Sequence, residues 1–270
     1  MQIEGKAAIV TGAGAGIGAA IAQRLVENGA NVTVSDIDAE TASSTAARLN
    51  EIRAGSAIGV GSDAADETAL RALIAQTEEA FGPVAFYFAN AGVGLGAGLD
   101  ADDQAWDTAW NVNVMAHVRA ARLLVPNWVE KGEGYFFSTA SAAGLLTQLG
   151  SPTYATSKHA AVGFAEWLRV TYGDKGVRVS CLCPMGVNTA LLNAGDDADE
   201  EASRIAAAAV KTSGTVLEPL EVGDMVIDAI GDERFLVLPH PEVLDMYRHK
   251  GSDYDRWITG MQRYRTSLGG

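Results

Sequence analysis

Residues 6–18 read KAAIVTGAGAGIG, an apolar run that passes directly into a cluster of glycines. The apolar run predicts a buried strand, and Ile17, Ile21 and Leu25 recur at helical spacing until Gly29 ends the pattern. Glycines between a strand and a helix let the backbone approach a pyrophosphate, which then meets the free N–H groups of the helix N-terminus. The stretch therefore predicts the first strand, turn and helix of a dinucleotide-binding unit.

The alternation of strand and helix continues along the chain. Strands are predicted at 6–11, 31–35, 56–61, 84–88, 135–138, 177–182 and 235–238, and helices at 17–28, 39–53, 67–81, 103–129, 153–172, 205–210 and 219–230. Short loops between them imply right-handed crossovers and parallel strands. We therefore predict an α/β fold over residues 1–270, a single-domain Rossmann-type doubly wound parallel sheet of about seven strands with helices on both faces.

Composition and charge exclude several classes of partner. The chain has 34 acidic and 20 basic side chains, a formal net charge of −14, so it repels nucleic-acid phosphates and anionic lipid. No apolar run reaches the length of a membrane span, and no secretory signal or transit peptide is recognisable. Cys181 and Cys183 share one strand face as reduced packing residues, and the four histidines form no metal-ligand pair. We expect a cytoplasmic protein without a metal.

Asp36 lies at the C-terminal end of the second predicted strand, 18 residues after Gly18. At that distance a carboxylate accepts hydrogen bonds from both hydroxyls of an adenosine ribose, and it would repel a 2′-phosphate. Ile37 and Asp38 follow it, so no basic side chain is near to offset that repulsion. The pattern predicts NAD as the cofactor in preference to NADP.

Tyr154 and Lys158 are four residues apart at the start of the predicted helix 153–172, so they share one face. An ammonium beside a phenol lowers its pKa from about 10, which would let Tyr154 act as acid or base near neutral pH. Ser141 lies 13 residues before Tyr154, just beyond the fifth predicted strand. Because ligands of a parallel sheet bind outside the carboxyl ends of its strands, Ser141 and Tyr154 are expected to converge there.

With these motifs in this order, the chain resembles the short-chain dehydrogenase/reductase family over residues 3–240. Thr11, Gly12, Gly16 and Gly18 match the phosphate loop of that family, Asp63 its acid after the third strand, Asn90 and Gly92 its N-A-G motif, and Asn113 its active-site asparagine. The segment from Pro184 to Thr189 resembles a P-G-x-V-x-T motif but has Met185 where glycine is usual.

The resemblance implies a catalytic role for four residues. Ser141 would hydrogen-bond the substrate oxygen, and Tyr154 would take the alcohol proton or return it to the ketone. Lys158 would bind the nicotinamide ribose and lower the pKa of Tyr154, and Asn113 would hold a water that links Lys158 to solvent. The cofactor contacts that it implies are Gly12, Gly16, Ile17, Gly18, Asp36, Asp63, Ala64, Asn90, Gly92, Tyr154, Lys158, Pro184, Val187 and Thr189.

The resemblance places substrate recognition in loops 93–99, 145–149 and 191–216, the last within a substrate loop around 189–216. The first two are small and apolar, with Gln148 their only large polar side chain and no arginine or lysine. We expect an uncharged, apolar secondary alcohol or ketone of alicyclic, aromatic or steroid type, with oxidation as the working direction. The alternatives are an NADP-dependent ketone reductase, which Asp36 disfavours, and a catalytically silent dinucleotide sensor or scaffold, which the complete set of catalytic residues disfavours.

The predicted helices 103–129 and 153–172 are too long and apolar to be covered by one sheet face, so a homo-oligomer is expected, most simply a tetramer. Candidate interface residues are Trp106, Trp110, Trp128, Phe164 and Trp167, with burial against the sheet as the alternative for each. The C-terminal extension, residues 241–270, is rich in Tyr, Trp and Arg. We expect it to form a helix that packs on the body or on a neighbouring subunit.

Overall fold

One parallel seven-stranded sheet forms the centre of the molecule in a computed structural model, which describes residues 1–193 and 201–269. The strands are β1 (Ala7–Thr11), β2 (Asn31–Asp36), β3 (Ala57–Gly61), β4 (Val84–Ala89), β5 (Gly134–Thr139), β6 (Val177–Leu182) and β7 (Leu236–Val237). Their order across the sheet is β3-β2-β1-β4-β5-β6-β7, with every neighbouring pair parallel. The prediction of a doubly wound parallel sheet is confirmed.

Helices surround this sheet. They are α1 (Gly16–Glu27), α2 (Ala39–Ile52), α3 (Glu67–Phe81), α4 (Asp103–Trp110), α5 (Ala116–Lys131), α6 (Pro152–Tyr172), α7 (Ala190–Asn193), α8 (Glu201–Thr212), α9 (Pro219–Asp232), α10 (Glu242–Ser252) and α11 (Tyr254–Ser267). The predicted substrate loop 189–216 is helical at both ends, and its residues 194–200 lie outside the described residues.

The predicted helix 103–129 differs from the structure in one feature. A π-helical segment, Asn111–Met115, separates α4 from α5, while the flanking Trp110 and Ala116 keep right-handed helical backbone. The helix therefore continues in direction but contains one wider turn. Such turns are rare and are often found at functional sites, and this one contains Asn113.

Aromatic side chains fill both faces of the sheet. Phe86 and Phe88 point to the face covered by α1, α2 and α9, whereas Tyr87 between them points to the face covered by α3, α5 and α6. Tyr87 stacks on Phe136 of the neighbouring strand with ring centroids 5.7 Å apart, and Phe88 stacks on Phe137 at 5.3 Å. Burial on both faces explains why these strands read as continuous apolar runs.

The strand order reverses at β1. The chain builds outward from β1 to β2 and β3, and then returns to place β4 on the other side of β1. Helices on opposite faces diverge at such a switch point and leave a crevice beyond the carboxyl ends of the strands. The glycine loop after β1, the Asn90 segment after β4 and Ser141 after β5 all lie at this edge.

Three candidate residues from the sequence have packing roles inside the subunit. Trp128 is 1% exposed, and its Nε1 donates to the Val84 carbonyl oxygen at 2.8 Å, so it belongs to the subunit's own core and the prediction of an interface role is wrong. Cys181 and Cys183 are free and buried, with their Sγ atoms 3.8 Å apart.

Among the described residues, no helix has both the length and the apolar character required to cross a bilayer.

Candidate active site

The glycine loop after β1 packs backbone against backbone. Gly12 has φ +61°, and a Cβ added there would lie 2.9 Å from the Ala91 Cα. A Cβ on Gly18 would overlap the Gly12 carbonyl oxygen and lie 2.9 Å from the Ala13 Cα. The first turn of α1 has neither a side-chain cap nor an acidic residue, so its N–H groups and positive dipole end are available to an anion. This cradle fits the pyrophosphate of a dinucleotide.

Asn90 joins the end of β4 to the same loop. Its Nδ2 donates to the carbonyl oxygens of Thr11 at 3.0 Å and Gly12 at 3.2 Å, and its backbone N–H donates to Thr11 Oγ1 at 3.0 Å. The side-chain amide therefore holds the loop in place. These hydrogen bonds establish a supporting role for Asn90. Asn90 also lines the cavity, and its direct contact with the cofactor stays a prediction.

Asp36 lines the cavity next to the glycine loop. Its Oδ2 accepts from the Gly14 N–H at 2.9 Å, and its Oδ1 accepts from the Asp38 N–H at 3.2 Å. These bonds orient the carboxylate toward the position where a ribose would lie next to the glycine loop. Ser62 lines the cavity beside Asp36, and its buried Oγ has no hydrogen-bond partner within the described part of the chain. The sequence reasoning had not singled out Ser62.

The side chains of Ser141, Tyr154 and Lys158 meet on one wall of the cavity. Ser141 comes directly after β5, where its Oγ accepts from the Ala143 N–H at 3.1 Å and donates to the Pro184 carbonyl oxygen at 3.4 Å, and Tyr154 lies in the first turn of α6. Lys158 lies one turn further along α6, with its Nζ 5.6 Å from the Tyr154 ring centroid and donating to the Thr139 carbonyl oxygen at 3.0 Å. The i, i+4 spacing on α6 and the end of β5 therefore bring the predicted trio together.

Asn113 lies behind this wall in the π-helical turn. Its Oδ1 accepts from the Val93 N–H at 2.9 Å, and its Nδ2 donates to the Val93 carbonyl oxygen at 2.9 Å and to Ser157 Oγ at 3.0 Å. A Cβ on Gly92 would lie 3.2 Å from both Asn113 Oδ1 and Lys158 Nζ, so both groups converge above Gly92. The side chain of Asn113 anchors the loop after β4, and its water-holding role stays a prediction.

Burial governs the titration of the site. Burial raises the pKa of Tyr154, and the neighbouring Ser141 hydroxyl offsets part of that rise. Burial lowers the pKa of Lys158 from 10.5 to about 8. The prediction that Lys158 lowers the pKa of Tyr154 is wrong for this arrangement, because desolvation penalises the charged forms of both groups and the lysine donates to Thr139 instead. Proton uptake by Tyr154 is therefore expected to require alkaline pH.

His117 is a buried neighbour of the site that the sequence reasoning missed. Its Nδ1 is 3.0 Å from Ser138 Oγ, while its Nε2 has no hydrogen-bond partner among the described residues. Burial and the charge of Lys158 lower the pKa of His117 to about 3, so the imidazole is neutral at any working pH. Its position four residues after Asn113, on the same helix face, is the signal that would have found it.

His240 explains how Met185 is accommodated. The Met185 backbone has no positive φ, and its N–H donates to His240 Nδ1 at 3.1 Å. The other ring nitrogen of His240 then carries the proton and donates to the carbonyl oxygens of Gly186 at 3.1 Å and Thr215 at 3.0 Å. This buried imidazole ties the segment after β6 to the chain that follows α8. No spacing pattern pointed to it.

A single cavity of about 950 Å³ connects these parts. Every predicted cofactor residue lines it, as does Ser141, whereas Asn113 does not. The loops at 93–97 and 146–151 form its next section, in agreement with the predicted substrate side. Residues of α8, which lies within the predicted substrate loop 189–216, also line the cavity. The structure adds four residues of the C-terminal extension that the sequence had not connected with the site, namely Met246, Trp257, Met261 and Tyr264.

Comparison with known proteins agrees with this geometry. The family model described as short chain dehydrogenase matches residues 6–200. The doubly wound sheet, the glycine cradle and the Ser–Tyr–Lys wall are the features of a dinucleotide-binding oxidoreductase. Within that class, the chain belongs to the short-chain dehydrogenase/reductase family, which confirms the resemblance found in the sequence.

Individual relatives match most of the chain. It is similar to a 1-deoxy-11-beta-hydroxypentalenate dehydrogenase of Streptomyces exfoliatus, 30% identical over 264 residues that cover 96% of this chain and 92% of the relative. A 2,5-dichloro-2,5-cyclohexadiene-1,4-diol dehydrogenase of Sphingobium indicum is 35% identical over 202 residues, 73% of this chain and 79% of the relative. The crystal structure of a short-chain dehydrogenase/reductase of Burkholderia phymatum in complex with NAD superposes with a TM-score of 0.86 at 31% identity, covering 94% and 96% of the two chains.

Proposed function

We propose that the protein is an NAD-dependent dehydrogenase that oxidises an uncharged, apolar, cyclic secondary alcohol to the ketone. The proposal rests on one observation: a single continuous cavity is lined both by the Asp36 carboxylate and by the Ser141–Tyr154–Lys158 wall. The names of the two relatives, both dehydrogenases of cyclic alcohols, support a cyclic alcohol as the substrate. The NAD complex of the Burkholderia phymatum protein supports the cofactor.

The chain's own residues perform the proton chemistry. Ser141 donates a hydrogen bond to the substrate oxygen and orients the alcohol toward Tyr154. The Tyr154 phenolate oxygen takes the hydroxyl proton as the carbonyl forms, and returns a proton in the reverse direction. Lys158, one turn further along α6 with its Nζ 5.6 Å from the Tyr154 ring centroid, would bind the nicotinamide ribose. When bound, NAD supplies the acceptor for the hydride that leaves the carbinol carbon.

The cofactor preference follows from Asp36. Its carboxylate is held by two backbone N–H groups beside the glycine loop, so it can accept from ribose hydroxyls but would face a 2′-phosphate with like charge. The alternative of an NADP-dependent ketone reductase requires a positive group at that place. Ile37, which follows Asp36 on the cavity wall, is apolar.

Assay of a panel of secondary alcohols tests this function. Purified protein is mixed with NAD or NADP and with monocyclic, fused bicyclic and aromatic alcohols at pH 9, and NADH formation is followed by absorbance. We expect NAD-dependent turnover of at least one cyclic alcohol. Binding of NADH without turnover of any alcohol or ketone would favour the silent sensor or scaffold instead.

The assembly and cellular setting are part of the same proposal. We infer one domain over residues 1–270, with the substrate loop at 189–216 and the extension at 241–270, assembled as a homotetramer through α4, α5 and α6. Trp110 and Trp167 on these helices are 44% and 55% exposed, and a second subunit would cover them. Sedimentation at micromolar concentration tests the assembly. We expect a cytoplasmic enzyme, because its two cysteines are free and buried.

A further inference from the structure

The C-terminal extension forms part of the cavity wall. Of its two helices, α11 presents Trp257, Gly260, Met261 and Tyr264 toward the body of the protein, and the other positions of this helix are exposed. This i, i+3, i+4, i+7 spacing places all four on one face of the helix. Trp257, Met261 and Tyr264 line the same cavity as Tyr154.

The C-terminal half of α11 is held against α8 by one hydroxyl group. Tyr264 Oη donates to the Ala209 carbonyl oxygen at 3.1 Å and lies 2.6 Å from Thr212 Oγ1 and 3.2 Å from Ser213 Oγ. All three partners belong to the last turn of α8 or follow it directly. Tyr264 therefore couples the extension to the helix that ends the substrate loop.

The other end of the extension is held by a buried lysine of α10. Lys250 is 5% exposed, and its Nζ donates to the carbonyl oxygens of Leu145 at 2.8 Å and Leu146 at 2.5 Å. The same Nζ is 3.3 Å from His159 Nε2. Leu145 and Leu146 follow the short helix that begins after Ser141, and His159 follows Lys158, so one side chain connects the extension to both catalytic segments.

Two aromatic rings of α11 complete the surroundings of Lys250. Its Nζ lies 5.1 Å from the Trp257 ring centroid and 5.5 Å from that of Tyr254. Carbonyl oxygens and ring faces are the partners that a buried ammonium requires in place of water. Because Lys250 fixes Trp257, which lines the cavity, it also fixes the position of the wall.

We propose that α11 is the wall that selects the substrate, with Trp257 and Met261 limiting the size of the alcohol and Lys250 as the residue that positions them. The inference rests on the proposed function and extends it from the reaction to the choice of substrate. A flat indole and a flexible thioether one turn apart form an apolar surface suited to a rigid ring system. A fused bicyclic alcohol is the substrate shape that this wall would sense.

The first test compares wall variants with a control on the same helix. Trp257→Ala and Met261→Ala enlarge the cavity, whereas Ile258→Ala removes a side chain that is 42% exposed on the outer face. The readout is the ratio of kcat/KM for a fused bicyclic alcohol to that for cyclohexanol. We expect this ratio to rise at least about five-fold in the wall variants, because the KM for the bicyclic alcohol falls. The ratio should fall in Met261→Phe and stay within about two-fold of the wild-type value in the control.

The second test addresses Lys250 as a positioning residue. Lys250→Met removes the donor to Leu145 and Leu146, and Lys175→Met is the matched control because Lys175 also lies over a tyrosine ring, Tyr172, at 5.1 Å but away from the cavity. We expect faster amide hydrogen exchange in α11 and a higher KM for the bicyclic alcohol, with the affinity for NADH unchanged. Lys250→Arg, which keeps a donor, should restore most of the wild-type KM.

The experiments distinguish refutation of the proposed role of α11 from refutation of the proposed function. If the wild type oxidises alcohols and the wall variants keep its substrate ratio, the role of α11 is refuted and the dehydrogenase stands. If the wild type oxidises no alcohol, the proposed function fails, and the wall is judged by binding. A bicyclic ketone should then quench tryptophan fluorescence in the wild type and less in Trp257→Phe, and equal quenching would refute the wall.

Discussion

On the cofactor side of the cavity, backbone atoms pack against backbone atoms. On the substrate side, by contrast, the side chains of α8, α10 and α11 pack against one another. The glycine loop leaves no room for a Cβ at Gly12 or Gly18. The α11 wall consists of long side chains, such as those of Trp257 and Met261, on a helix whose outer face is exposed. The first arrangement tolerates no added atom, and the second can be repacked one residue at a time. Enzymes of one family that share a type of cofactor but act on different substrates are expected to combine a closely packed cofactor side with a substrate side that varies.

The wall of Ser141, Tyr154 and Lys158 lies between the two sides, and loss of its proposed acid–base group should affect all substrates equally. Tyr154→Phe removes one hydroxyl and little packing, so we expect kcat to fall about 10²- to 10⁴-fold for every alcohol, with the affinity for NADH nearly unchanged. Steady-state rates and NADH fluorescence titration measure both quantities. A variant that keeps a tenth of the activity would show that Tyr154 is not the acid–base group.

The raised pKa of Tyr154 also sets the pH profile of the wild type. The phenolate that accepts the alcohol proton is scarce at neutral pH, so kcat/KM for oxidation should climb from pH 7 toward pH 10. Reduction of the matching ketone needs the protonated phenol and should favour lower pH. An oxidation profile that is flat over this range, together with a primary deuterium isotope effect on kcat/KM, would exclude Tyr154 as the base.

The buried ammonium of Lys158 should leave a signature in stability. Below pH 8 this group is protonated in both the folded and the unfolded state, so the cost of burying its charge is fully present. Between pH 8 and 10.5 the folded state has released the proton and the unfolded state has kept it, so stability rises with pH. The free energy of unfolding of the wild type should gain about 3 kcal/mol relative to Lys158→Met over that range.

Urea unfolding at pH 7, 9 and 10.5 measures this difference. Lys175→Met, at an exposed position, is the control and should follow the wild type at every pH. Parallel curves for the wild type and Lys158→Met would mean that Lys158 keeps an ordinary pKa in the folded protein.

Backbone packing on the cofactor side predicts a strong response to a single methyl group. Gly18→Ala places a Cβ against backbone atoms, so we expect NADH affinity to fall at least about ten-fold and the protein to lose stability. Gly231→Ala in α9 is the matched control, because a Cβ there meets nothing within 4 Å and should stabilise by about 0.5–1 kcal/mol. Equal behaviour of the two variants would contradict the close packing of the loop.

The smallest expected effect concerns the choice between NAD and NADP. We expect the wild type to prefer NAD at least about ten-fold in kcat/KM, and Asp36→Asn to narrow that preference. Asparagine removes the charge but keeps an acceptor for the Gly14 N–H, which separates repulsion from support of the loop. Comparable kcat/KM for both cofactors in the wild type would refute the role of Asp36.

The cofactor side was predictable because its signals are local. The passage from an apolar run into glycines at residues 6–18 specifies a strand, a turn and a helix, and the alternation that follows specifies a parallel sheet. Once the strands are parallel, Asp36, Asn90 and Ser141 lie at their carboxyl ends and share one edge of the sheet. The i, i+4 spacing of Tyr154 and Lys158 adds the last part without any knowledge of packing.

The tertiary structure decided what depends on contacts between distant segments and on exclusion of water. Lys250 binds carbonyl oxygens more than one hundred residues away, and His240 joins segments 54 and 25 residues from itself. The inward position of Trp128 and the opposed pKa shifts of Tyr154 and Lys158 follow from burial that no short pattern encodes. Periodicity and spacing describe neighbours along the chain, whereas desolvation and long-range hydrogen bonds exist only after the chain has packed.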